Sequence, residues 1–190
     1  MITFSASDVN GKEATLIVGK KDGDGYFAKD SSRPIIFRIN DSLYKSLSRS
    51  HSDLRDKKLV HLAQSDLTRA ELQNANGTVV ITPKSDQEWI AEAPPELKGK
   101  AVATWKILNP VLTARAEEIV DRPSAEILGK LAKPFVQLTL TTKDGKKVAT
   151  SFTLVAGDFV YARTSDAPTV YKLKKSVLDD LTSKPLTFAY

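Results

Sequence analysis

One block of this sequence occurs twice. YFAKDSSRPIIFRINDSLYKSL (Tyr26–Leu47) and VYARTSDAPTVYKLKKSVLDDL (Val160–Leu181) align without a gap at an offset of 134 residues. Ala28/Ala162, Ser31/Ser165, Pro34/Pro168, Ser42/Ser176 and Leu47/Leu181 are identical. Phe27/Tyr161, Lys29/Arg163, Ile36/Val170, Phe37/Tyr171, Arg38/Lys172, Ile39/Leu173 and Leu43/Val177 keep their chemistry. A repeated block restricts the fold strongly, because each copy must form the same supersecondary unit and bury the same face.

The block reads as a β-meander closed by a helix. EATLIVGK is a strand, KDGDG a turn, and YFAK and PIIFRI are short runs of aromatic and β-branched residues. Pro34 and Pro168 stand at strand starts, where a missing N–H does little harm. Asp41 or Ser42 suits a helix N-cap, with Leu43 and Leu47 on one helical face. The second copy runs FVQLTLTT, the turn KDGK, KVATSFTLV, FVYAR and TVYKL. It then gives a helix near 175–183 with Val177, Leu178 and Leu181 on its buried side. A lone meander with one helix leaves a raw sheet edge and a half-covered apolar face. Two copies related by a pseudo-two-fold would cover each other.

Between the copies, LTRAELQNANGTVVITPKSDQEWIAEAP reads as three strands. Asn76-Gly77 marks a hairpin, because both residues tolerate positive φ, and KSDQ is the next turn. KGKAVATWKILNPVLTARAEE reads as a helix with Trp105, Leu108 and Leu112 at i, i+3 and i+7, which Pro110 kinks or ends. PSAEILGKLAKP is a short helix with Ser124 as its cap and Pro134 as its stop. The expected fold class is therefore α+β with antiparallel sheets: two meander-plus-helix repeats and a central meander and helix. They form one domain over 1–190, with repeat one at about 1–60, the central part at about 61–122 and repeat two at about 123–190.

The 190 residues, 41% of them apolar, suffice to bury roughly 70% of the unfolded surface without a metal or a disulfide. The absence of cysteine removes disulfides, thiolate metal sites and thiol nucleophiles. The amino terminus does not read as a signal peptide, and no window approaches the ~20 apolar residues of a membrane span. A chain that starts in strand-like sequence and ends at LTFAY has the look of a trimmed one, any flanking anchor lying outside it. The net charge is +5; residues 1–129 hold 18 Lys/Arg against 18 Asp/Glu, while residues 130–190 hold 10 against 5. A basic third suits an acidic partner, nucleic acid or a membrane surface. Its lysines are nevertheless scattered over strands, turns and a helix, as on a solvated face.

The run SDLRDKKLVHLAQSDLTRAELQNANGTVVI, preceded by PIIFRINDSLYKSL, resembles the bacterial domain-of-unknown-function 4340 family. Phe37–Asn40 stands for that family's extended strand, Asp41–Leu47 for its short helix, Asp53–Leu59 for its DLRDKRLL-type turn, and Asp66–Leu72 for the strand after it. GTVVITPKSDQEWIAEAP and AVATWKILNPVLTARAEEIVD match its tryptophan-bearing hairpin and following helix. The second copy departs from the pattern by lacking a DLRD continuation, and the family's amino-terminal membrane anchor is missing. The family has no established catalytic residues to transfer. Its members resemble extracytoplasmic, membrane-tethered proteins, some associated with gliding-type ABC transport. The resemblance therefore implies a protein partner in an envelope assembly, with membrane contact only through a flanking anchor.

Tests for chemistry come out negative. His51 and His61, ten residues apart, match no metal pair and read as surface histidines; no G-x-S-x-G, phosphate loop or dinucleotide fingerprint exists. Asp22, Asp24 and Gly25 imitate a calcium loop, but the ligand series breaks at Tyr26 and strands flank it, so a hairpin tip is the better reading. Trp89 and Trp105 read as core anchors, and Tyr161 and Tyr171 as buried strand positions. Asp53, Arg55, Asp56 and Lys57 form a turn in which Arg55 can make charge-assisted hydrogen bonds. With Lys172, Lys174 and Lys175 they are the candidate interaction residues. No cofactor is expected. The expected function is a non-catalytic interaction module; the alternative is a nucleic-acid-binding domain using the basic carboxyl-terminal third.

Overall fold

Val136–Thr142 alternates buried and half-buried residues along its length, the signature of a strand packed on one side. It is one of twelve strands in a computed structural model that describes residues 1–85, 88–154 and 157–190, with the backbone alone at 51 and 52. The chain divides into two compact units, Met1–Arg55 and Asp56–Tyr190.

The first unit is a four-stranded antiparallel sheet in the order β1-β2-β3-β4. Its strands are β1 (Ile2–Ser7), β2 (Glu13–Asp22), β3 (Gly25–Asp30) and β4 (Ile36–Asn40), followed by α1 (Asp41–Leu47) and α2 (His51–Leu54). Its core is small: Val18, Ala28 and Ile39, with Ile2, Leu16, Tyr26, Tyr44 and Leu47 packed around them. Tyr26 and Tyr44 stack with centroids 3.7 Å apart. The cap of α1 is Asn40, whose side chain accepts from the Leu43 N–H at 2.8 Å. This replaces the expected Asp41 or Ser42: the helix starts one residue earlier, and Asp41 instead pairs with Lys45 at 2.6 Å.

The second unit holds the remaining strands: β5 (Leu67–Asn74), β6 (Gly77–Pro83), β7 (Trp89–Ala93), β8 (Glu118–Val120), β9 (Val136–Thr142), β10 (Lys147–Leu154), β11 (Phe159–Thr164) and β12 (Val170–Lys174). They form one sheet in the order β7-β6-β5-β9-β10-β11-β12-β8. The first three are the three strands expected between the repeats. The hairpin between β5 and β6 is offset by one residue from expectation. Asn74 pairs with Gly77, so Ala75 and Asn76 form the turn, and of the pair Asn76-Gly77 only the glycine has positive φ. The Asn74 carboxamide sets this register by accepting from the Asn76 N–H at 2.7 Å. The turn expected over Lys84–Gln87 lies partly outside the described residues.

The expected long helix after β7 is two short ones, α3 (Thr104–Ile107) and α4 (Asn109–Leu112), separated at Leu108 with Pro110 in the first turn of α4. The break turns Trp105 outward, so it is exposed, while Ile107, Leu108 and Val111 fill the core. Trp105 is therefore not the core anchor that its spacing suggested; its ring lies 5.3 Å from the Lys106 ammonium. Trp89 is buried as expected. The helix α5 (Ala125–Ala132), capped by the Ser124 hydroxyl on the Ile127 N–H at 3.3 Å, packs on β10 and β11. The helix expected near 175–183 is a 3-10 turn, Lys175–Leu178, which buries Leu178, with Leu181 buried beyond it.

The offset of 134 residues recurs in the backbone. Shifted by it, β3 and β4 coincide end to end with β11 and β12; β1 and β2 begin where β9 and β10 begin. Register repeats as well: Ile2↔Val18 answers Val136↔Phe152, Val18↔Ala28 answers Phe152↔Ala162, and Ala28↔Phe37 answers Ala162↔Tyr171. The copies differ in their neighbours. Among the described residues the first meander pairs with no strand beyond its own four, whereas the second is flanked by β5 on one side and β8 on the other.

Candidate interaction surfaces

The DLRD segment spans the end of the short helix α2 and the residues after it. Ser50 and Asp53 form a reciprocal capping box: the Asp53 N–H donates to the Ser50 hydroxyl at 3.2 Å, and the Ser50 N–H donates to the Asp53 carboxylate at 2.9 Å. Asp53 is thereby engaged in capping the amino-terminal end of α2, and Arg55 is its C-cap. Asp56 opens the second unit. Its carboxylate accepts from the Lys58 N–H at 2.9 Å and lies 3.4 Å from the His61 imidazole. His61 is exposed, as expected of a surface histidine; the His51 side chain lies outside the described residues.

Three of the candidate lysines gather around the start of β8. The Lys57 ammonium donates to the Glu117 carbonyl at 3.1 Å, Lys174 pairs with the Glu117 carboxylate at 3.6 Å, and Lys172 pairs with Glu118 at 3.3 Å. Lys172 also lies 4.5 Å from the centroid of the Phe159 ring. A shallow groove of about 280 Å³ beside them is lined by Pro110, Arg115, Glu117, Lys174 and Val177 among others. Lys175 is exposed at the next turn. These pairs are largely solvated, so each contributes at most about 1 kcal/mol. The arrangement fixes β8 against β12 and presents a mixed-charge surface, unlike a groove of one sign. Tyr171 is buried and Tyr161 half-buried, so neither is an exposed stacking platform.

The first unit carries exposed apolar residues of its own. On the first unit, Phe4, Phe27, Ile35, Ile36 and Phe37 are exposed, although four of them lie on strands. A cleft of about 360 Å³ is lined by Asp30, Arg33, Ile35 and Phe37. The Asp30 carboxylate accepts from the Ser32 N–H at 2.8 Å, the Ser32 hydroxyl at 2.7 Å and Arg33 Nε at 3.3 Å. Those hydrogen bonds, the Ser32 backbone foremost, hold it below the usual carboxylate range. The signal that would have found this surface is the repeat itself, which lines Phe4 up with Leu138 and Phe37 with Tyr171.

The hairpin tip that imitates a calcium loop has a different occupant. The Arg38 guanidinium donates to the Asp22 carbonyl at 2.7 Å, lies 3.4 Å from the Asp22 carboxylate, and forms an ion pair with Asp24. The two carboxylates that a cation would need are bridged by a fixed positive charge. Among the described residues no group of three or more His, Cys, Asp or Glu side chains is placed to hold a metal. No helix among them is long and apolar enough to cross a membrane.

No curated protein and no solved structure matches the chain. A family model does: that of the Domain of unknown function (DUF4340) matches residues 1–134, more than two thirds of the length. The matched span takes in the whole first meander, the DLRD turn, the central strands and α5, and it stops two residues before β9. On that match the chain belongs to the DUF4340 family.

Proposed function

We propose that the chain is a non-catalytic interaction module that works through strand edges and apolar surface, in an assembly associated with a bacterial envelope or transport system. One observation carries this reading. Among the described residues, the first unit exposes Phe4 and Phe37 on one face of its sheet and Phe27 and Ile36 on the other, and its outer strands β1 and β4 pair on one side only. Exposed apolar side chains beside open backbone donors and acceptors suit docking by strand addition. The envelope setting and an extracytoplasmic location come from the resemblance to the family's membrane-tethered members. Phe4→Asp/Ile36→Asp changes exposed positions and leaves the small core intact. In cells making the full-length protein, it is expected to abolish a stoichiometric complex recovered from the envelope fraction. The same complex with the variant, or no complex with the wild type, overturns the proposal.

Nucleic-acid binding through residues 130–190 is the competing reading. Against it, Lys146, Lys172 and Lys174 each have a carboxylate within 3.6 Å. Under this reading, affinity for DNA or RNA drops by about 10³ or more between 50 and 200 mM salt; under ours there is no salt-dependent binding to lose.

A further inference from the structure

The second meander shows how a meander of this register is covered. β9 receives β5 antiparallel along its outer edge, in the register Ala70↔Leu140, Leu72↔Leu138 and Gln73↔Gln137. β12 receives β8, with Tyr171 opposite Ile119. The side chains of α3 and α4 pack in one core with this sheet, and α5 lies against β10 and β11. Every one of these covering elements comes from residues 56–134. Shifted back by 134, Leu138 becomes Phe4, Val170 becomes Ile36 and Tyr171 becomes Phe37. The covered residues are 0%, 1% and 8% exposed; their counterparts are 48%, 69% and 39% exposed. Two meanders of one backbone and register thus differ in having, or lacking, the same kind of cover.

We propose that the first meander is a docking site for a partner segment built like Asp56–Pro134, which adds a strand of β5 type antiparallel to β1. This rests on the reading of the chain as an interaction module and names its partner. The register carries over: a leucine in the place of Leu72 faces Phe4, and an alanine in the place of Ala70 faces Ala6. A strand of β8 type pairs with β4 opposite Phe37. β1 suits such an addition because ITFSAS contains no charged residue and no proline to block its edge. A second copy of this chain is not the occupant, since its own β5 and β8 are already paired with β9 and β12.

The test fuses a second copy of residues 56–134 ahead of Met1. This reproduces the junction at which Pro134 meets Phe135, and amide hydrogen exchange is then read across β1 and β4. Exchange at Phe4 and Ala6 is expected to slow by about 100-fold or more, as for amides passing from an open edge into a ladder. Phe4→Asp in the fusion should restore fast exchange. β1 amides that exchange as in the native chain while the added segment is protected overturn the proposal. If the added segment does not fold, a synthetic peptide of residues 66–74 is titrated onto the native chain and followed by NMR. Shifts confined to β1 and its neighbour support the site, and none at millimolar peptide overturns it. Dimerisation of the native chain with protection of β1 also overturns it, the occupant then being a second copy. Loss of this proposal with retention of the envelope complex would leave the interaction module standing with a different partner.

Discussion

A methyl group at Gly25 would lie 2.5 Å from the Ile39 carbonyl oxygen and 2.9 Å from Arg38 Nε. The glycine is required by close approach: the backbone of β4 crosses where a side chain would begin. Gly25→Ala is expected to cost roughly 1–3 kcal/mol, the range for overpacking, read as a lower denaturation midpoint of the first unit. Thr150 presents the opposite case. Its hydroxyl is buried without a hydrogen-bond partner among the described residues, and the matching residue in the first copy is Leu16. Removing an unsatisfied buried hydroxyl recovers its desolvation penalty, so Thr150→Val should stabilise by about 1 kcal/mol in urea titrations. No change, or a loss, would show that the hydroxyl is satisfied in solution. Neither position was legible in the sequence, because both depend on atoms from distant strands.

Elements were legible wherever a short period and a local stop signal agreed. β5, β6, β7 and α5 were all expected, α5 down to its Ser124 cap, because alternation, Gly77 and Pro134 act within a few residues. Errors came where a side chain chose between neighbouring backbones. Asn40 outcompeted Asp41 for the N-cap because Asp41 has an i+4 lysine to pair with. Trp105 was assigned to the core from a spacing that holds only if the helix runs unbroken past Pro110. The cap gives a direct test: Asn40→Ala should lower stability by about 1 kcal/mol and raise the exchange rate of the Leu43 amide. An unchanged Leu43 amide would mean that its bond to Asn40 contributes nothing. Lys57, Lys172 and Lys174 lie together around Glu117 and Glu118, a proximity that their separation in the sequence does not show. The exposure of Phe4 and Phe37 is not legible in the sequence, because apolar strand residues ordinarily lie in a core.

At the scale of the molecule, acid sensitivity should come from turn carboxylates. Asp144 is held below its ordinary value of 3.8 by the Thr142 hydroxyl and then by the Lys146 N–H; Asp166 is lowered chiefly by the Thr164 hydroxyl, and Asp30 by Ser32. A carboxyl depressed by folding adds stability that is complete above its unfolded value and is lost as pH falls through the lower folded one. The melting temperature should therefore stay level from pH 7 to about 5 and fall steadily below about 4, with Asp144→Asn losing part of that slope. A flat profile down to pH 2 would mean that these bonds do not persist in solution.

The pairing of β5 with β9 also sets a timetable. The two strands are adjacent in the sheet, yet β5 ends at Asn74 and β9 at Thr142. At about 5–20 residues per second a ribosome needs on the order of 3–14 s to deliver the second after the first. From the completion of β7 at Ala93 onwards, the nascent chain carries β5, β6 and β7 with one flank of β5 waiting for its mate. The middle of the protein is thus synthesised before the strand that completes it.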